Sequence, residues 1–157
     1  MIFVILGTQK FKMNRLIDEI DKLIEKKLIA SNEIILQSGF SRKSKYAESF
    51  EMISEDEFDS LVEKCSLVIT HGGTSAIIKA LKQDKKVIAI PRLSKYKEHV
   101  DDHQLEIVSV FQEKGYLEVC ENINDLEFLI SKVEQINYEK YVSTGNLGEV
   151  IVSDILK

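Results

Sequence analysis

The stretch from Leu67 to Gln104, LVITHGGTSAIIKALKQDKKVIAIPRLSKYKEHVDDHQ, constrains the fold more than any other part of the chain. Leu67 to Thr70 is a short apolar run with Val and Ile, the pattern of a strand buried on both faces, and His71-Gly72-Gly73 ends it sharply. Thr74 and Ser75 offer N-caps to a helix whose Ile77, Ile78 and Leu81 recur at helical spacing. Two glycines between a buried strand and a helix N-terminus let the backbone approach a ligand closely. The first-turn N–H groups and the positive end of the helix dipole favour an anion there, a phosphate or diphosphate above all. A tight strand-to-helix turn needs glycine with or without a ligand, so the pattern alone also admits a purely structural reading. His71 either donates to a phosphate oxygen or caps the turn.

The rest of the chain repeats the same alternation. Ile2 to Leu6 reads as a strand closed by the Gly7-Thr8 turn, and Met13 to Lys27 as an amphipathic helix with Leu16, Ile17, Ile20, Leu23 and Ile24 on one face. Ile34 to Gln37 is a second strand, Ser41 to Ser49 a polar loop, and Phe50 to Ile53 a weak third strand. Ser54 and Glu57 form a capping box for a helix through Lys64. Val87 to Ile90 and Leu117 to Val119 read as strands five and six with a helix, His103 to Lys114, between them. Asn124 or Asp125 caps a helix over Leu126 to Val133, and a last helix is expected from about Leu147 to Leu156.

Strands without period-two alternation, each followed by a helix, predict an α/β fold. It is a Rossmann-like parallel sheet of about six strands with helices on both faces, forming a single domain over residues 1–157. With the order 3-2-1-4-5-6, strands one and four are neighbours, and the turns at Gly7-Thr8 and His71-Gly72-Gly73 face each other across a ligand crevice.

Composition narrows the function classes. With 26 acidic against 21 basic residues the formal charge is -5, which argues against a general nucleic-acid binder. The two cysteines, Cys65 and Cys120, have no CxxC spacing and read as buried small hydrophobes in a reducing compartment. The apolar start MIFVIL is too short for a signal h-region or a membrane span, so the expectation is a cytoplasmic protein that meets a membrane only peripherally or through a partner.

Among motifs, HGGTS is neither a P-loop nor GxGxxG, which weakens ATPase and dinucleotide-redox readings. His99 and His103 are four apart, but the segment before them reads as loop and no HExxH is present, so no metal site is expected. Asp101 or Asp102 is better placed as a helix N-cap, with His103 and Gln104 in the first turn facing the same crevice edge, where short polar groups suit sugar hydroxyls. Pro91 stops strand five. Arg92, Lys95 and Lys97 form a basic cluster in the following loop, suited to a diphosphate, to anionic lipid headgroups, or simply to solvent. No GxSxG elbow, carboxylate pair or Cys/His dyad supports hydrolase chemistry.

HGGTSAIIKAL, KKVIAIPR and HVDDHQ, in this order and spacing, resemble the C-terminal domain of glycosyltransferase family 28, the donor-binding half of GT-B enzymes. IFVILGTQKFKMNRLIDEID and IILQSGFS resemble its small stand-alone versions: the catalytic subunit of a eukaryotic two-subunit transferase and bacterial exopolysaccharide subunits of the PssE kind. The resemblance covers Met1 to about Val119. It implies a UDP-sugar whose diphosphate lies over Gly72, Gly73, Thr74 and Ser75, with His103 and Gln104 reaching the sugar and Gly7 and Thr8 lining the opposite wall. It also implies a membrane-anchored partner subunit that completes the cleft and supplies the catalytic base, a lipid-linked acceptor, inversion at the anomeric carbon, and no metal or other cofactor. Lys79 departs from the pattern, since relatives often carry a glutamate there that holds ribose hydroxyls, and an ammonium cannot accept those bonds. The terminal helix, with Val150, Ile151, Ile155 and Leu156, is expected either to dock a partner or to pack on the chain's own sheet.

Overall fold

A computed structural model describes residues 1–142. The predicted helix at 147–156 lies outside the described residues. Six parallel strands form one sheet in the order β3-β2-β1-β4-β5-β6. They are β1 (Ile2–Ile5), β2 (Ile34–Gln37), β3 (Glu48–Phe50), β4 (Leu67–His71), β5 (Lys86–Ile90) and β6 (Glu118–Val119). The helices are α1 (Asn14–Glu25), α2 (Glu55–Lys64), α3 (Thr74–Lys82), α4 (His103–Glu113) and α5 (Leu126–Gln135). The winding is the one expected from the alternation of elements, and β1 pairs with β4 in register from Ile2↔Leu67 to Ile5↔Thr70.

Because the strands are parallel, each needs a crossover, and the crossover helices cover both faces of the sheet. Strand residues therefore alternate between two cores. Val4, Ile69 and Ile88 pack with Leu16, Ile17 and Ile20 of α1 and with Leu126 and Leu129 of α5. Phe3, Val68 and Val87 pack on the other face with Val62, Ile77, Ala80, Ile107 and Phe111 of α2, α3 and α4. Cys65 and Cys120 are buried among these side chains, and burial pushes both thiols up, Cys120 to about 12.

The third strand sits earlier than the sequence indicates. It occupies Glu48–Phe50, pairing Ile35↔Glu48 to Gln37↔Phe50, and Met52 is exposed beyond it. An edge strand needs only backbone pairing along one side, so polar Glu48 and Ser49 serve as well as the apolar run that follows. The polar segment before it is also more ordered than its composition suggests. The buried Asp21 carboxylate of α1 accepts from Ser44 Oγ, from Lys45 N (3.2 Å) and from Arg42 Nη1 (2.9 Å).

Candidate functional site

The carboxyl ends of β1 and β4 open between them a cleft of about 430 Å³, lined on one wall by Gly7, Thr8 and Gln9 and on the other by His71, Gly73, Thr74 and Ser75. Its floor and far end are Ile5, Ile53, Phe58, Glu55 and Lys79. This is the topological switch point of the sheet, where crossovers depart in opposite directions and leave a gap.

On the β4 side, Gly73 takes the N-cap position of α3 (φ -74°, ψ 126°) and no side chain caps the helix. Thr74 and Ser75, expected as caps, are instead its first helical residues. The first bond of the helix runs from Ile77 N to Gly73 O at 3.2 Å, so the N–H groups of Thr74, Ser75 and Ala76 precede the intrahelical ladder. They carry the positive end of the helix dipole at the cleft wall.

Two glycines are dictated by the histidine between them. Gly7 has φ +83°, and a Cβ there would lie 2.5 Å from His71 Nε2; a Cβ on Gly73 would overlap the other side of the same ring. The imidazole is thus clamped between the two turns that flank the crevice. His71 is buried, and desolvation, aided by the nearby charge of Arg92, lowers its pKa to about 4.

A buried glutamine settles which nitrogen carries the proton. Gln104 Oε1 accepts from Gly72 N and from Arg92 N, both at 3.0 Å, so its Nε2 is the donor that meets His71 Nδ1 at 3.3 Å. Nδ1 therefore accepts, and the neutral ring carries its hydrogen on Nε2, the nitrogen facing Gly7. A second glutamine fixes the opposite wall. Gln37 Oε1 accepts from Gly7 N at 2.9 Å, while its Nε2 donates to Gly7 O (3.0 Å) and Glu51 O (2.8 Å). Each glycine turn is held by one amide side chain from a different part of the chain.

Of the residues proposed from sequence, Gly7, Thr8, His71, Gly73, Thr74 and Ser75 line the cleft. Gly72, Arg92, Asp102, His103 and Gln104 do not. Gly72 turns its N–H inward to Gln104, so it is not among the donors facing the cleft. Gln104 is 5% exposed and its amide is engaged by the protein on both sides. Asp102 holds the N-cap position of α4 but its carboxylate accepts from Ser94 N at 2.8 Å, and that bond holds its pKa below the usual range. The cap-like bond comes from Asp101, whose Oδ1 accepts from His103 N at 3.1 Å. His103 is half-exposed beside Asp101 and Glu106.

Arg92 requires a correction. It reads as part of an exposed basic cluster, yet it is 1% exposed. Its Nη1 donates to Phe11 O (2.7 Å) and Glu98 O (3.1 Å), and its Nη2 donates to Leu6 O. It ties the loop after β5 to the exit of β1 because the two Nη groups of its planar fork donate to three carbonyls, while its buried Nε finds no partner. The residues that sequence reasoning passed over are Gln37, Gln9, Glu55 and Phe58. Gln37 had a signal, being polar at the end of an apolar strand, but its partner Gly7 is 30 residues away.

Lys79, on the second turn of α3, lies 5.0 Å above the Phe58 ring and pairs with Glu55 (3.2 Å) and Asp59 (3.6 Å). The cleft's carboxylate therefore comes from Glu55 on α2, with Lys79 beside it. Among the described residues, no group of three His, Cys, Asp or Glu side chains is placed to hold a metal ion.

A Rossmann-like parallel sheet with a crevice at its switch point is the architecture of half of a GT-B fold. The chain belongs to the glycosyltransferase family 28 C-terminal domain, whose family model matches residues 1–149. No curated protein sequence matches it. Solved structures share its fold: the Methanocaldococcus jannaschii UDP-GlcNAc 2-epimerase in complex with UDP-GlcNAc and UDP has a TM-score of 0.63 at 16% identity, covering 99% of this chain and 44% of that one. ALG13 has a TM-score of 0.60 at 19% identity, covering 99% of this chain and 96% of that one. Acinetobacter baumannii MurG has a TM-score of 0.52 at 14% identity, covering 98% of this chain and 49% of that one. The chain thus spans under half the length of the epimerase and of MurG, and nearly all of ALG13.

Proposed function

We propose that this chain is the donor-binding subunit of a two-part glycosyltransferase: it binds a UDP-sugar and, with a membrane-anchored partner, directs the sugar to a lipid-linked saccharide in exopolysaccharide or capsule synthesis at the cytoplasmic face. The observation that carries the reading is the uncapped N-terminus of α3 beside a neutral, Nε2-protonated His71 in an open cleft. The UDP-GlcNAc and UDP in the structurally similar epimerase support a UDP-sugar as the guest.

In this reading the diphosphate lies against the N–H groups of Thr74 and Ser75, with His71 Nε2–H donating to one of its oxygens. The nucleoside extends toward Ile53 and Phe58, where Glu55 takes over the ribose hydroxyls that Lys79 cannot accept. The sugar points toward the start of α4, where His103 is half-exposed. As the glycosidic bond to the diphosphate breaks, negative charge grows on the leaving oxygen. Fixed amide dipoles stabilise that charge more than they stabilise the bound donor, which is what lowers the barrier. The acceptor hydroxyl attacks from the opposite side, inverting the anomeric carbon.

The cleft supplies no general base among the described residues. His71 has a hydrogen on the nitrogen facing the cleft and its other nitrogen engaged by Gln104, while Glu55 is bridged by Lys79. This reading takes the base from the partner half, and the near-complete coverage of ALG13 by this chain supports a stand-alone half of this kind. The same absence favours one alternative, a non-catalytic nucleotide-sugar-binding stimulatory subunit. Radiolabelled UDP-sugar, partner-containing membranes and lipid acceptor separate the two readings. The proposal expects transfer only when the chain is added, and none with Gly73→Asp; undiminished transfer without the chain overturns it.

A further inference from the structure

The loops that leave β1 and β5 emerge at the carboxyl edge of the sheet and pack around the N-terminus of α1, while the β2 loop starts at that edge and runs back along α1 toward Glu25, where β3 begins. The β1 loop runs directly into α1. The β2 loop is tied to it by Arg42, which pairs with Asp18 and Asp21, and the β5 loop by Glu98, which pairs with Arg15 at 2.8 Å. On these loops stand six exposed lysines: Lys10 and Lys12, Lys43 and Lys45, Lys95 and Lys97. No ion pair among the described residues involves any of the six. Residues 7–13 and 38–47 contain no Asp or Glu. In the β5 loop Glu98 is 2% exposed and paired with Arg15, and the two remaining carboxylates, Asp101 and Asp102, lie at its far end, where they accept from His103 N and Ser94 N. A chain with a formal charge of -5 thus presents a face on which positive charge dominates.

Apolar and aromatic groups are interleaved with the lysines. Phe40, Tyr96 and Val100 are 54%, 49% and 74% exposed. Lys10 Nζ lies 5.7 Å from the Phe11 ring centroid, and Lys95 Nζ and the Arg15 guanidinium lie 4.9 Å and 4.7 Å from that of Tyr96. Phe11, Tyr96, Arg15 and the neighbouring lysines line a shallow depression of about 540 Å³, separate from the cleft beside α3.

We infer that this face seats directly on an anionic lipid bilayer. The β1 and β5 loops, which carry Lys10, Lys12, Lys95 and Lys97, leave one edge of a parallel sheet and line one depression, so they share a level, which suits a flat surface. Flexible, strongly hydrated ammonium groups follow headgroups without demanding a fixed geometry, while exposed aromatic and apolar side chains enter the interface between them. A protein partner recognised through charge would call for fixed, bidentate arginines and a deeper apolar pocket, and the two arginines here, Arg15 and Arg42, are already paired within the chain. The inference does not depend on the transferase reading, because it is tested without a nucleotide sugar.

The test is co-sedimentation of the purified full chain with vesicles of phosphatidylcholine alone or with about one third phosphatidylglycerol. The expected result is binding to the anionic vesicles at low salt, steep weakening as salt is raised, and little binding to phosphatidylcholine. At roughly fivefold per lysine, the triple variant Lys10→Glu/Lys12→Glu/Lys97→Glu lowers partitioning by at least about a hundredfold. Lys26→Glu/Lys27→Glu/Lys64→Glu makes the same change of net charge on exposed lysines at the C-terminal ends of α1 and α2, at the opposite edge of the sheet, and retains binding. Circular dichroism melts establish that both variants are folded. Indifference to phosphatidylglycerol at low salt overturns the inference and leaves the face to an acidic protein; an equal fall in the two triples also overturns it, because net charge alone then explains the binding.

Discussion

The carboxyl edge of this domain carries two anion-attracting regions built on opposite plans. The cleft beside α3 attracts with dipoles: helix N–H groups and a neutral imidazole, each fixed by buried glutamines. The face around α1 attracts with full charges on mobile lysine stems. Fixed dipoles select one geometry and are screened little by salt, whereas exposed ammonium groups accept many geometries and are screened strongly. On the proposed readings, the domain separates recognition of one small anion from attraction to an extended surface.

The largest expected effect tests the first plan by adding charge to it. Gly73→Asp brings both a Cβ that overlaps His71 and a carboxylate, and is expected to lower UDP affinity, read by isothermal titration, by at least about a hundredfold. Ser75→Asp separates the two causes. Ser75 is exposed in the first turn of α3, so the carboxylate leaves stability unchanged or up to about 1 kcal/mol higher by its dipole interaction while still repelling the diphosphate. UDP binding that survives both substitutions would sink the cleft as the donor site.

Next comes the scaffold of the dipoles. Gln104→Ala leaves Gly72 N and Arg92 N buried without their acceptor, at about 4 kcal/mol for the pair, a fall in Tm of roughly 8–16 °C by calorimetry. A change under 2 °C would mean the two turns are not held by this side chain.

A pH series tests the cleft directly. His71 has a folded pKa near 4 against 6.5 when unfolded, so the unfolded chain takes up its proton first as the pH falls. Its contribution to stability is complete above pH 6.5 and is lost between 6.5 and 4, a decline of about 3 kcal/mol. His71→Asn flattens that part of the stability profile. A UDP-sugar, whose diphosphate is esterified at both ends and has no proton to gain in this range, binds through the neutral ring with constant affinity from pH 8 to 6.5. The smallest effect is expected at Lys79→Ala. Its ion pairs with Glu55 and Asp59 are solvent-exposed and contribute under about 1 kcal/mol, so chemical denaturation moves little while UDP affinity changes a few-fold. A large loss of stability there would show that the pair is structural.

Much of this was legible in the sequence, for local reasons. Short apolar runs alternating with helical spacing predict a parallel α/β sheet, and the Rossmann-like order assumed for it, which the structure has, places the Gly7 and Gly73 turns together. What escaped reading depends on partners distant in the chain. Arg92 looks like any basic loop residue until the carbonyls of Leu6 and Phe11 are found within its reach, 86 and 81 residues away. Gln104 has the polarity of a sugar-binding residue but is drawn inward by two backbone amides. The N-cap of α3 moved from Thr74 to Gly73 because the histidine clamp fixes where the helix can begin, which no capping preference records.

The paired glutamines imply that the pocket and the folded state are one event. Gln37 comes from β2 and Gln104 from α4, so the Gly7 turn is set within one half of the sheet and the Gly72 turn within the other, and the pocket is complete only when the two halves have docked. Ligand binding is then coupled wholly to the native form: a saturating donor at about a hundred times its Kd adds about 2.7 kcal/mol to global stability. Cellular levels of the activated sugar would in that way govern how long the polypeptide survives proteolysis.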